Sequence, residues 1–164
     1  MPNNTDLKIR PANTDDCMVI LSFIKELAEY EKMSSLVVAT DNDIHKALFG
    51  EPKYADCLIA EWQGLPVGFA LYFFIFSTFE GKPALYLEDL YVQPGVRGNG
   101  IGKSLLQRLA STALQHNCSR MDWAVLDWNQ PAIEFYQSIG AHAEDQWTTF
   151  RLDGEELLNF GKNK

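Results

Sequence analysis

The chain of 164 residues has the length of one domain, so we expect a single domain over residues 1–164 with one hydrophobic core. With 46% hydrophobic and 22% charged residues, its composition is that of a folded protein and excludes intrinsic disorder. A net charge of −8 disfavours nucleic acids and anionic membranes as partners and favours a small cationic one, although acidity for solubility alone explains the charge equally well.

The first third of the chain predicts one strand and two helices. Met1 to Ile9 is polar and lacks the apolar core of a signal peptide, so we expect a cytoplasmic protein. Leu7 to Arg10 is a strand candidate, and the first helix is expected from Asp15 to about Glu31. Apolar residues lie on one face of that helix: Cys17, Ile20, Leu21, Ile24, Leu27 and Ala28. Thr40 with Asp43 resembles a capping box, which predicts a second helix from Thr40 to Phe49.

The middle of the chain predicts strands. Cys57 to Trp62, the Gln63-Gly64 turn and Pro66 to Phe76 read as a hairpin, and Leu85 to Val92 as a further strand. The uncharged stretch Leu65 to Phe76 is too short to cross a bilayer as a helix.

The last third returns to helical spacing. Ile101, Leu105, Leu109 and Ala113 share one face of a helix that extends to about His116, and Arg120 to Leu126 forms the next strand. Asn129 caps another helix that ends at Gly140. A last strand, Trp147 to Leu152, and a short helix, Gly154 to Phe160, are expected to follow. The order of elements predicts an α/β (α+β) fold with a mixed central sheet of about six to seven strands flanked by helices.

The cysteines and histidines predict neither disulfides nor a metal. Cys17, Cys57 and Cys118 are odd in number and lack metal-ligand spacing, which indicates a reducing compartment and no zinc site. Cys17 and Cys57 lie in apolar segments, where a buried unreactive thiol is the usual case. The three histidines, His45, His116 and His142, show no ligand spacing either.

A glycine-rich loop between a strand and a helix is the main candidate for chemistry. Residues Arg97-Gly98-Asn99-Gly100-Ile101-Gly102-Lys103 follow the strand that ends at Val92 and open the next helix. Glycines let the backbone approach a ligand closely, and the N–H groups at a helix N-terminus attract phosphate oxygens. We therefore predict a pyrophosphate site at this loop, with Arg97 and Lys103 adding positive charge.

The loop has three alternative explanations. A Walker A loop requires glycine at the position of Arg97, so Gly102-Lys103-Ser104 fails on spacing. A Rossmann fingerprint requires a third glycine at the position of Lys103 and a location at the first strand, and neither condition holds. A glycine-rich turn without a ligand is the remaining alternative.

With these residues in view, the chain resembles the GNAT acetyltransferase superfamily over nearly its whole length. Several blocks in order resemble the diamine (spermidine/spermine) and especially the thialysine acetyltransferases: Ile9 to Pro11, Lys25 to Glu31, Tyr86 to Val92 and Ala124 to Gln130. The resemblance implies acetyl-CoA as co-substrate, a small-molecule amine as acceptor and a homodimer. It also implies which residues bind the donor: Leu90, Tyr91 and Val92 against the pantetheine arm, Arg97 to Lys103 at the pyrophosphate, and Asn129, Gln130, Pro131, Ala132 and Tyr136 completing the site.

The resemblance and the chemistry of amide formation suggest two catalytic residues. A primary amine is mostly protonated at neutral pH, so it must lose a proton before it attacks. The resemblance selects Glu88 as the substrate-facing carboxylate, which either binds the ammonium or passes its proton through a water to solvent. Tyr136 is the candidate acid that protonates the leaving thiolate. The alternative for Glu88 is a surface or hydrogen-bonded strand carboxylate. The alternative for Tyr136 is a core tyrosine packed on Phe135.

The acceptor pocket is assigned by resemblance to Tyr30, Glu31, Ser77, Glu88, Asp122, Trp123 and Ala124. An ordinary helix end is the alternative for Tyr30 and Glu31. Ser77 stands where the polyamine enzymes carry an acidic residue, which weakens the case for long polycations. The stretch from Gly140 to Trp147 is shorter than its family equivalent, so Glu144 and Asp145 receive no role.

Two other functions remain open from the sequence. Acetylation of protein lysines or N-termini would use the same chemistry, and an acyl-CoA-binding module without turnover would use the same loop.

Overall fold

The chain divides into two structural units on either side of the bond between Ala124 and Val125. The computed structural model describes residues 6–162, so the start of the polar N-terminal segment, Met1–Thr5, lies outside the described residues. The single domain expected over residues 1–164 stays a prediction, and the two units are described separately.

The first unit is built on a five-stranded sheet in the order β1-β2-β3-β4-β5. The strands are β1 (Leu7–Pro11), β2 (Asp56–Trp62), β3 (Leu65–Ser77), β4 (Lys82–Val92) and β5 (Met121–Trp123). The first four pair antiparallel, and β5 pairs parallel with β4. The hairpin of β2 and β3 through Gln63 and Gly64 confirms the prediction made from that turn. The mixed sheet confirms the α/β fold class.

Helices cover both faces of this sheet. They are α1 (Cys17–Tyr30), α2 (Asp41–Phe49) and α3 (Ile101–Gln115), with short 3-10 helices at Thr14–Asp16, Ser34–Leu36 and Pro94–Val96. Ile20 and Phe23 of α1 pack in one core cluster with Ile59, Phe69 and Tyr91 of the sheet. Side chains alternate along a strand, so the buried strand residues next to those of this cluster face the opposite side of the sheet. The predicted apolar stripe of α3 is buried on that opposite side.

Capping and ion pairing fix the ends of the first elements. The Thr40 side chain accepts a hydrogen bond from the N–H of Asp43, and the Asp43 carboxylate accepts one from the N–H of Thr40, so the predicted capping box is confirmed. Arg10 of β1 donates to both carboxylate oxygens of buried Asp16, at 2.7 and 2.9 Å, and to Glu61 of β2 at 2.7 Å. This network ties the segment before α1 to two strands.

The second unit contains α4 (Gln130–Ser138) and α5 (Gly154–Lys162). Asn129 caps α4 as predicted, because its side-chain oxygen accepts a hydrogen bond from the N–H of Ala132. No helix among residues 6–162 is both long and apolar enough to cross a bilayer.

The predicted number of strands was wrong. Residues 147–152 form no strand, and the segment expected from Arg120 to Leu126 is strand only at β5. A strand needs a neighbouring strand for its hydrogen bonds, and the described residues supply none beside 147–152, where Trp147 and Phe150 are exposed. The sheet of residues 6–162 therefore has five strands instead of six or seven.

Candidate active site

The loop after β4 adopts left-handed backbone at two of its glycines. Gly98 has a φ of 86° and Gly100 a φ of 75°, and both lie in the region that other L-residues rarely occupy. Gly100 is also the N-cap of α3, so the change of backbone direction coincides with the start of that helix. Buried Ile101 anchors the first turn of α3 to the core.

A row of main-chain donors results from this geometry. The first hydrogen bond of α3 runs from the N–H of Ser104 to the carbonyl of Gly100, at 2.9 Å, and no side chain caps the helix. Throughout the described part of the chain, no oxygen accepts a hydrogen bond from the N–H groups of residues 98–103. Six consecutive donors at the positive end of a helix dipole form a site suited to a diphosphate.

The polar side chains of the loop differ in their surroundings. Asn99 donates to the carbonyl of Val96 at 2.9 Å, which closes the loop on itself. The Arg97 guanidinium lies over the rings of Tyr30 and Tyr91, and its Nε donates to the carbonyl of Val92 at 2.8 Å. Lys103 is exposed in the first turn of α3.

The edge of β4 leads to this loop. Pairing with β5 ends at Leu87 and Trp123, whereas β4 continues to Val92. Among the strands of the described chain, residues 88–92 therefore have a neighbour only on the β3 side. This places the predicted pantetheine-binding residues Leu90, Tyr91 and Val92 at an unpaired strand edge, where backbone groups can pair with an extended amide-containing ligand.

Three carboxylates gather near the middle of β4. The pairing with β3 shifts between Leu71 and Tyr72, so Glu88 is an extra residue between the pairs formed by Leu87 and Asp89. Burial, then Glu88, then Glu31 raise the pKa of Asp89 from 3.8 to about 6. Burial also raises the pKa of Glu31, at the end of α1. The structure thus brings Glu31 and Glu88 together around a half-buried Asp89.

Asp89 is the residue of this group that the sequence did not assign to the site. Strand alternation allowed only one of Glu88 and Asp89 to enter a given cleft, and resemblance selected Glu88. The bulge that alters this alternation leaves no signal in the sequence. Asp89 pairs with Leu71, which packs on the core cluster beneath α1.

Two other predicted acceptor residues lie beside Glu88. Asp122 and Trp123 belong to β5 opposite Tyr86 and Leu87, and Ala124 follows at the end of the first unit. Burial, then Glu88 and Asp122 raise the pKa of Tyr86, so the two carboxylates approach the same phenol. Asp122 also accepts a hydrogen bond from Arg120 at 2.8 Å.

Ser77 is not brought together with these residues. It pairs with Lys82 at the far end of the hairpin, six positions along β4 from Glu88, which corresponds to about 20 Å. Ser77 is buried, and its hydroxyl oxygen accepts a hydrogen bond from the N–H of Glu80.

The second unit holds the remaining predicted residues. Asn129 is buried, and Gln130, Pro131 and Ala132 form the first turn of α4. Tyr136 lies on the same helix, half-buried, with its ring 5.6 Å from that of Phe135. In the first unit, burial raises the pKa of both Cys17 and Cys57, as expected for unreactive thiols.

Comparison with known proteins gives matches along most of the chain. Residues 21–141 match the acetyltransferase (GNAT) family. A thialysine N-epsilon-acetyltransferase from Sus scrofa is 41% identical over 160 residues, which cover 91% of this chain and 94% of that protein. The spermidine/spermine N(1)-acetyltransferase-like protein 1 from Homo sapiens is 41% identical over 162 residues, 93% of this chain and 23% of that protein. An integron cassette protein structure from the mobile metagenome of V. cholerae has a TM-score of 0.80 at 28% identity, covering 96% of this chain and 98% of that one.

Proposed function

The chain belongs to the acetyltransferase (GNAT) family, and from this premise we propose that it transfers acetyl from acetyl-CoA to the primary amine of a small lysine-like or diamine substrate. Acetyl-CoA is the co-substrate of the family. The observation that carries the proposal is the row of N–H donors at residues 98–103, because it fits the diphosphate of coenzyme A.

The donor site proposed here uses main-chain groups of the glycine-rich loop and of β4. The main-chain N–H groups of residues 98–103 bind the pyrophosphate, the side chain of Lys103 adds positive charge, and the backbone of residues 90–92 pairs with the pantetheine arm. By resemblance to the family, acetyl-CoA binding is also assigned to Asn129, Gln130, Pro131 and Ala132.

The acceptor site is a negatively charged wall. Glu31, Glu88 and Asp89 attract a cationic amine, and the effect of Glu88 and Glu31 on the pKa of Asp89 supports their closeness to it. Tyr30, Asp122, Trp123 and Ala124 border the wall. Ser77 is left out of this acceptor site, because it lies about 20 Å away at the far end of the hairpin.

The reaction is a direct transfer. Glu88 receives one proton of the ammonium, directly or through water, and the neutral nitrogen attacks the thioester carbonyl. A C–N bond forms to give a tetrahedral intermediate, and the C–S bond breaks as Tyr136 protonates the departing thiolate. The nitrogen then loses its second proton, which restores the phenol of Tyr136 directly or through water. Because a thiol has a pKa near 8.5, this protonation assists the reaction without being required.

An acetylation assay tests the function. Thialysine, spermidine and a lysine-containing peptide are compared at equal concentration, and the small amines are expected to have the higher kcat/KM. A preference for the peptide would indicate a protein acetyltransferase, and coenzyme A binding without turnover would indicate a binding module.

The role of Tyr136 is tested by Tyr136→Phe. Loss of the hydroxyl is expected to lower kcat by roughly tenfold to a hundredfold while the Kd for coenzyme A changes by less than about twofold. Gln137→Ala, at an exposed position of the same helix, is the matched control. An unchanged kcat in Tyr136→Phe would remove the assigned role.

The proposal includes the cellular location and the oligomeric state of the enzyme. The odd number of cysteines without ligand spacing supports a reducing, cytoplasmic location. We also propose a homodimer, which sedimentation equilibrium of the purified protein tests.

A further inference from the structure

The side chain of Arg97 contacts the protein on three sides. Its guanidinium carbon lies 5.5 Å from the centroid of the Tyr30 ring and 5.6 Å from that of Tyr91. Its Nε donates to the carbonyl of Val92 at 2.8 Å. These distances are those of cation–π contacts and of a well-formed hydrogen bond. The first residue of the loop is therefore attached to the end of α1 and to the end of β4.

The ring of Tyr91 is itself fixed to α1. Its hydroxyl donates to Glu26 at 2.7 Å, and its ring lies 6.0 Å from that of Phe23. Burial, together with the bond to Glu26, raises the pKa of Tyr91 to about 12, so the phenol remains protonated at neutral pH. Both rings that contact Arg97 are thus held by α1. Tyr30 is the last residue of that helix, and Tyr91 is bound by the helix side chains of Glu26 and Phe23.

We propose that Arg97 is a positioning residue that joins the end of α1 to the phosphate-binding loop, and that coenzyme A affinity therefore depends on the ring of Tyr30. The inference rests on the proposed function, since it concerns the loop that binds the donor. A guanidinium shared between two rings and a carbonyl orients Gly98 and the donors after it, whereas Lys103 supplies charge to the ligand.

A consequence is that the two substrates influence each other. Tyr30 precedes Glu31, which belongs to the proposed acceptor wall, so an amine that fixes the end of α1 also fixes Arg97. Linkage requires the reverse effect to be equal, and coenzyme A must raise the affinity for the amine by the same factor.

Calorimetric titration with coenzyme A tests the proposal on four variants. Tyr30→Leu removes one ring and is expected to weaken binding about fivefold, whereas Tyr30→Phe keeps the ring and is expected to bind as the wild type does. Arg97→Lys keeps the charge but loses the Nε donor and the planar group, so we expect about tenfold weaker binding. Tyr54→Leu, at an exposed tyrosine outside these contacts, serves as the control.

A second ligand separates positioning of the loop from general damage to the fold. Pantetheine lacks the diphosphate, so its inhibition constant is expected to be the same in Tyr30→Leu and in the wild type. An equal loss for pantetheine and coenzyme A would overturn the proposal in favour of a general structural role.

Two further results would also overturn it: wild-type affinity for coenzyme A in Tyr30→Leu, or wild-type affinity in Arg97→Lys, since the latter means that Arg97 acts through its charge. Failure of the proposed function is a separate outcome: a preference for peptides or an absence of turnover in the acetylation assay would reject that function and leave these coenzyme A affinities as a valid test of the inference.

Discussion

The ionised carboxyl group of Asp89 is predicted to lower the free energy of unfolding at neutral pH. Burial, with Glu88 and Glu31 nearby, raises its pKa from 3.8 to about 6, so ionising this carboxyl in the folded protein is unfavourable. The difference corresponds to roughly 3 kcal/mol at 1.36 kcal/mol per pH unit. Asparagine has nearly the shape of the protonated carboxyl and carries no charge. Asp89→Asn is therefore expected to be up to about 3 kcal/mol more stable than the wild type at pH 8.

The pH dependence gives the sign of the effect. The folded state keeps the proton of Asp89 up to about pH 6, whereas the unfolded chain releases it near pH 4. As the pH rises from about 4 to about 6, the contribution of Asp89 to the free energy of unfolding of the wild type therefore falls. Urea denaturation at pH 8 and pH 4 is expected to show the advantage of Asp89→Asn shrinking to under about 1 kcal/mol at the lower pH.

The same variant is expected to lose kcat/KM for the amine, because the acceptor wall loses one of its charges. Asp145→Asn, at an exposed carboxylate of the second unit, is the control and is expected to change stability by less than about 0.5 kcal/mol. A free-energy difference between Asp89→Asn and the wild type that is the same at both pH values would refute the reasoning about burial.

Two further predictions concern the loop and the ion-pair network. Gly100→Ala is expected to lower the free energy of unfolding by about 1 kcal/mol and to weaken coenzyme A binding at least about tenfold, because Gly100 has a positive φ with open space around it, so strain alone acts. Gly95→Ala, also with open space, is the matched control, and equal coenzyme A affinity in both variants would show that left-handed backbone is not needed. Arg10 holds the pKa of Asp16 below its usual range, so this contribution to stability is present above about pH 4 and is lost as the pH falls through the lower folded value. In urea denaturation Asp16→Asn is expected to cost roughly 3 kcal/mol at pH 7 and to show a weaker acid dependence than the wild type, and an unchanged acid dependence would contradict the assignment.

Local signals in the sequence predicted most elements. The α3 stripe and the capping residues Thr40 and Asn129 depend on neighbours within a few positions, so spacing alone identified them. The glycines at 98 and 100 likewise indicate the left-handed backbone conformation that they adopt. Family resemblance, not spacing, was needed to choose an acetyltransferase among anion-binding functions.

Features that depend on distant partners were not predicted. Residues 147–152 have the apolar content of a strand, but strand formation depends on a neighbour that the sequence does not reveal. The bulge at Glu88 depends on the register between β3 and β4. Arg97 was assigned to the phosphate from its charge, and its contact with Tyr30, 67 positions earlier, depends on how α1 packs.

The most direct test of the central claim is a titration of ¹⁵N-labelled protein with coenzyme A followed by amide NMR. If main-chain donors at the start of α3 bind the diphosphate, the N–H signals of residues 98–103 are expected to show the largest shifts. Pantetheine, which lacks the diphosphate, is expected to leave most of these signals unchanged. Binding of coenzyme A that shifts other amides and leaves these six in place would contradict the account.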